Sequence, residues 1–123
     1  MTTAFANLIP FPRPFSVPRT PRVREAESVI GEAILRRHLV KLVYGGAVEP
    51  QMFAPYVLYF GACKNVFAGG FEIARKHKRW RDFELEHLKS VALTDTRFTP
   101  GSAFRSTRSN YPHGYIFAVD FAG

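Results

Sequence analysis

A chain of 123 residues suits one domain, with room for a core of its own and too little for two full ones. Apolar residues make up 46% and aromatics 15%, a globular composition, and no apolar run approaches the roughly twenty residues of a membrane span. Seventeen Lys and Arg against ten Asp and Glu give a net charge of +7, which favours anionic partners, while the lone Cys63 excludes an internal disulfide and a cysteine-rich zinc site and fits a reducing cytoplasm.

The chain opens with Phe5, Leu8, Ile9, Phe11 and Phe15 set among Pro10, Pro12, Pro14, Pro18 and Pro21, with Arg13, Arg19 and Arg22 between them. Prolines so spaced break the amphipathic helix of a targeting peptide, so residues 1–22 are expected to form an untargeted, extended arm. Thr20 before Pro21 offers a hydroxyl cap and a proline in the first turn, where its missing donor does no harm. Val23, Ala26, Ile30, Ala33 and Ile34 follow at three- and four-residue intervals and predict a helix, with Gly31 as its weak point.

The period then changes to two. Residues 38–44 predict a strand ended by Gly45-Gly46, and residues 52–60 a second, in which Pro55 requires an edge position or a bulge. Residues 65–72 predict a third, where Gly69-Gly70 allow a sharp bend or a close backbone approach, and Cys63 just before it reads as a small strand residue. The fourth, residues 80–91, follows a basic run, Arg75-Lys76-His77-Lys78-Arg79, that reads as a loop. Alternation points Phe83 and Leu85 inward and Asp82, Glu84 and Glu86 outward, which leaves Arg81 on the inward side. A guanidinium at the edge of a core is costly unless an anion or a carbonyl pairs with it, so this segment proposes a binding site as well as a strand.

Residues 88–97 predict a fifth strand, and Thr99-Pro100-Gly101 closes the compact part. The expected fold is mainly β with one N-terminal helix (α+β), a small, strongly bent antiparallel barrel of five strands over residues 23–100 with the helix plugging one end. Residues 101–123 form a C-terminal extension in which Tyr115-Ile116-Phe117-Ala118-Val119 offers an added strand.

Four features together resemble the WYL domain family of bacterial regulatory modules. They are the helix-to-strand segment Ala33-Ile34-Leu35-Arg36-Arg37-His38-Leu39-Val40-Lys41-Leu42-Val43-Tyr44, the Pro-x-x-Leu of Pro55 to Leu58, the Trp-Arg-x-Phe-x-Leu-acid-x-Leu of Trp80 to Leu88, and the Phe-x-Pro of Phe98 to Pro100. The resemblance covers about residues 27–100 and rests on order and spacing. It implies an Sm-like, SH3-like barrel that binds nucleic acid or a nucleotide-like ligand and passes the event to an effector in transcriptional or defence regulation. It also implies a free-standing module, since the chain has no room for the helix-turn-helix to which the family is often fused. Two departures stand out: Asn65-Val66-Phe67 replaces the Trp-Tyr-Leu signature, and His87 stands where a basic residue usually follows the acid.

On that reading Arg81 pairs with a phosphate, Trp80 and Tyr44 stack on a base, and His87 and Lys89 add charge to the same rim. Arg75, Lys76, Lys78 and Arg79 attract a single strand without reading its sequence. Two plainer readings stay open, a solvated basic hairpin and a Trp80 that only covers the barrel. His38, His77, His87 and His113 lack metal-ligand spacing, and nothing pairs a nucleophile with a base, so no metal, cofactor or enzymatic activity is expected. The competing class is an assembly module that docks on a regulator or on itself through an edge strand and the proline-rich arm.

Overall fold

A computed structural model describes residues 19–74 and 77–122; the proline-rich segment 1–18, Arg75 and Lys76 lie outside the described residues. The first element, α1 (Pro21–Arg36), starts as its sequence predicts, with the Thr20 hydroxyl accepting a hydrogen bond from the Val23 amide at 3.2 Å. Its stripe of Val23, Ala26, Ile30, Ala33 and Ile34 is buried. Gly31 belongs to that stripe for a packing reason: a Cβ there would come within 2.9 Å of the Phe117 ring. The helix ends at Arg37, whose left-handed backbone (φ 60, ψ 47) turns its amide back onto the carbonyls of Ala33 and Ile34.

Among the described residues six strands follow: β1 (His38–Tyr44), β2 (Gln51–Phe60), β3 (Val66–Ile73), β4 (Lys78–Glu84), β5 (Leu88–Arg97) and β6 (Tyr115–Ala118), with a short second helix, α2 (Val119–Ala122), after the last. All pairings are antiparallel and the order is β4-β3-β2-β1-β5, with β6 beside β2. Of the two alternatives Pro55 left open, the bulge is the one found, because β2 is central and its register with β3 shifts between Pro55 and Val57. One flank of β2 is shared in consequence, with β1 pairing Gln51 to Phe53 and β6 pairing Val57 to Tyr59. Gly70 provides the close approach, since a Cβ there would lie 2.1 Å from the Ala54 carbonyl oxygen. Cys63 is not a strand residue; it lies exposed in the turn between β2 and β3.

The expected class, mainly β with one N-terminal helix, is the one found. Among the described residues β6 is the added strand that residues 115–119 offered, and the bent five-stranded barrel is corrected to an open sheet, with β4 and β5 as the two ends of its path. The segment predicted as one strand over residues 80–91 is divided by a 3-10 turn, Leu85–His87. Leu85 and Leu88 are both buried, and a spacing of three satisfies both only if the chain leaves the two-residue period there. α1 packs on β1, β2, β5, β6 and this turn, so the core lies between helix and sheet, where Ile30 and Ile34 meet Val40, Leu42, Phe53, Phe83 and Leu85. Among the described residues no helix is long and apolar enough to cross a membrane.

Candidate functional site

The β3–β4 hairpin carries most of the residues singled out by the sequence. Its ladder pairs Phe71 with Trp80, Glu72 with Arg79, Gly70 with Arg81 and Ala68 with Phe83. Lys78 and Arg79 therefore stand on the strand, which corrects the reading of the whole basic run as loop; both are exposed. Successive side chains on a strand face opposite ways, so Arg81 and Trp80 do not share a rim.

Arg81 lies on the side of Phe83, as alternation predicts, with its guanidinium carbon 4.9 Å from the Phe83 ring centroid. Its anionic partner is internal: Arg81 Nη1 donates to Glu72 Oε1 at 3.0 Å. Arg79 Nε stands 3.5 Å from the same oxygen, so two guanidiniums share one carboxylate and leave a surplus positive charge on this flank. Lys78 alternates with Arg79 and belongs to the opposite face, its Nζ 5.5 Å from the centroid of the Phe71 ring that packs on Trp80. On the side of Arg81, Phe83 packs on Tyr44 at 4.6 Å between centroids, and Tyr44 meets His87 edge-on at 6.2 Å. The Tyr44 hydroxyl accepts from the Glu84 amide at 3.2 Å, and His87 Nε2 lies 3.5 Å from Glu84 Oε1. Arg81 and Tyr44 thus each pack on buried Phe83, and Tyr44 carries the contact on to His87. Lys89 instead lines a cleft against α1 with Arg22 and Glu25.

Trp80 faces the other side, in an aromatic layer. Its ring packs on Phe71 at 5.2 Å and Tyr56 at 5.7 Å, and Phe104, from the segment after β5, lies nearly parallel to it at 6.0 Å. The Gly101 amide donates to the Tyr56 hydroxyl at 2.8 Å and brings that segment onto the sheet. A base could stack on this side of Trp80 only by displacing Phe104. Asp82 fastens the layer, accepting from Trp80 Nε1 at 3.0 Å and from the Tyr59 hydroxyl at 2.8 Å. Burial first, then the hydrogen bond to Asp82, raises the Tyr59 hydroxyl well above its ordinary pKa. Tyr111, packed 4.8 Å from Tyr59, is pushed up to about 12 by burial and by the charges of Asp82 and Asp120.

The internal partner of Arg81 is what the sequence reading missed. It depends on the register of the hairpin, which sets Glu72 opposite Arg79 and diagonal to Arg81. The Tyr59–Asp82–Trp80 network had no local signal either, since it joins β2 to β4 across β3.

No protein-family model and no curated protein matches the chain. Among solved structures it is similar to proteasome accessory factor B/C (PafBC) of Arthrobacter aurescens, with a TM-score of 0.59 and 22% identity over 87% of this chain. The matched region is 17% of that protein's chain. The likeness is one of fold, and it supports a WYL-like fold for the described residues.

Proposed function

We propose that this domain is a ligand-sensing regulatory module that binds single-stranded nucleic acid, or a nucleotide-like anion, along the Glu72 side of the β3–β4 hairpin. The observation that carries the reading is the charge surplus there: Arg79 and Arg81 face the single carboxylate of Glu72 from one side of β4. Arg79 is the exposed contact on this side, Lys78 adds an exposed cation from the other face of the same strand end, and Arg81 is the anchored one, exchanging or sharing Glu72 when a phosphate arrives. Tyr44 and His87 extend the rim from Phe83, whereas Trp80 supports the hairpin from behind. The WYL-like fold, which the sequence resemblance associates with regulatory modules, supports the same class of function.

Titration of labelled single-stranded DNA and RNA into the full chain at two salt concentrations tests it. Binding should weaken as salt rises, and Lys78→Ala with Arg79→Ala should flatten the salt slope by about one to two. No binding at low salt, or a slope unchanged in that double variant, would sink the reading. The open edges of β4 and β5 support a second reading, assembly by strand addition. Light scattering separates the two, since an assembly module is expected to self-associate or retain a protein partner and a hairpin that binds nucleic acid need do neither.

A further inference from the structure

A second cationic feature lies at the end of α1, in a part of the molecule that the hairpin does not use. Arg37 and Arg97 line a cleft of about 440 Å³ together with Phe98, Thr99 and Pro100. That volume falls within the roughly 300–1,000 Å³ typical of small-molecule sites. Among the described residues neither arginine has a carboxylate partner. Arg37 Nε is buried without a hydrogen-bond acceptor, and its Nη2 reaches only the Val119 carbonyl, at 3.5 Å. A buried guanidinium nitrogen left without an acceptor is costly, which makes it a cation in want of an anion.

The backbone gives an independent reason to look here. Position 37 holds the left-handed conformation that closes a helix, where glycine is the residue without strain. An arginine is kept there at a conformational cost, and its backbone is pinned on both sides. Its amide caps the carbonyls of Ala33 and Ile34, and its carbonyl accepts from the Phe98 amide at 2.8 Å. The side chain therefore leaves a rigid point into a cleft whose other cation, Arg97, ends β5. Phe98 and Pro100 supply apolar wall, and Thr99 supplies a hydroxyl.

We infer that this cleft binds the phosphate group of a small phosphomonoester, with Arg37 and Arg97 pairing with the phosphate oxygens and the organic part resting on Phe98 and Pro100. Two guanidiniums match a dianion better than a carboxylate, and the cleft is too small for a folded partner. The site owes nothing to Lys78, Arg79 or Arg81.

The test is a titration of the isotope-labelled full chain with inorganic phosphate, AMP and glycerol phosphate. The readouts are the Nε–H signals of Arg37 and Arg97 and the amides of Phe98 and Thr99. Saturable shifts confined to the cleft are expected, with the dissociation constant raised about tenfold or more by Arg97→Gln and by Arg37→Gly. Arg37→Gly suits the backbone of position 37, so its thermal midpoint should stay near that of the parent chain, which separates lost binding from lost folding. The Lys78→Ala, Arg79→Ala double variant should bind all three probes as the parent does. The inference is overturned if no probe shifts the cleft signals, if Arg97→Gln binds as tightly as the parent, or if the hairpin double variant abolishes the shifts. A hairpin that fails to bind nucleic acid leaves these outcomes unaffected.

Discussion

Arg81 holds its charge at the margin of the core because Glu72 stands diagonally across the ladder and Phe83 lies beneath it. The arrangement satisfies the guanidinium and limits what it offers a ligand, since a phosphate must compete with a carboxylate already in place. Glu72→Gln keeps the shape of the partner and removes its charge, and two effects of opposite sign are expected. Stability should fall by about 1 kcal/mol, read as a lower urea midpoint, because the ion pair is partly exposed and its loss is moderated by solvent. Affinity for single-stranded DNA at low salt should rise severalfold, because Arg79 and Arg81 are both released. Weaker DNA binding in this variant would mean that the phosphate path lies elsewhere.

At the scale of elements, the hairpin is placed by what lies next to it. β3 crosses β2 closely enough that Gly70 cannot carry a side chain: its Cβ would meet backbone atoms of Ala54 and Pro55, which have no rotamer with which to yield. Gly70→Ala should therefore cost about 3 kcal/mol and move the hairpin, so that stability and nucleic-acid binding fall together. A variant that unfolds at the parent's midpoint would show that the β2 bulge is free to relax. The 3-10 turn has a comparable positioning role. Buried Leu85 anchors it, while the Tyr44 hydroxyl and Glu84 fix the orientation in which His87 meets the rim.

Across the whole molecule, residues 101–118 pack on both the sheet and the helix. Phe104 and Tyr111 cover the aromatic side of the sheet, and β6 extends it beside β2 while Phe117 packs on α1 at Gly31. The raised pKa values of Tyr59 and Tyr111 tie this covering to alkaline stability. For each, the folded pKa exceeds the ordinary value of 10.0, so the unfolded chain loses its proton first as pH rises. Their contribution is complete below pH 10, declines from there, and for Tyr111 is gone past about 12. Denaturation midpoints should fall steeply above pH 10, and Tyr59→Phe, which has no hydroxyl to ionise, should lessen the slope. An unchanged slope in that variant would exclude Tyr59 as a source of the alkaline loss.

Much of the fold was legible because its signals are local. The Thr20 cap, the helical stripe ending at Ile34, the two-residue period that opens at β1, and the demand of Pro55 for a bulge or an edge each depend on residues a few positions apart. Even the division of the 80–91 segment had a local mark in the three-residue spacing of Leu85 and Leu88. The inward placement of Arg81 was legible too, since alternation fixes which way a side chain points. What it meets there depends on cross-strand register, which placed Glu72 beside it, while the segment after β5 folded back to set Phe104 over Trp80. The place of β6 was set in the same way: one flank of β2 is divided between β1 and a strand distant from both in sequence. Periodicity along a chain carries no record of such a neighbour, because the contact is made only once distant segments have packed.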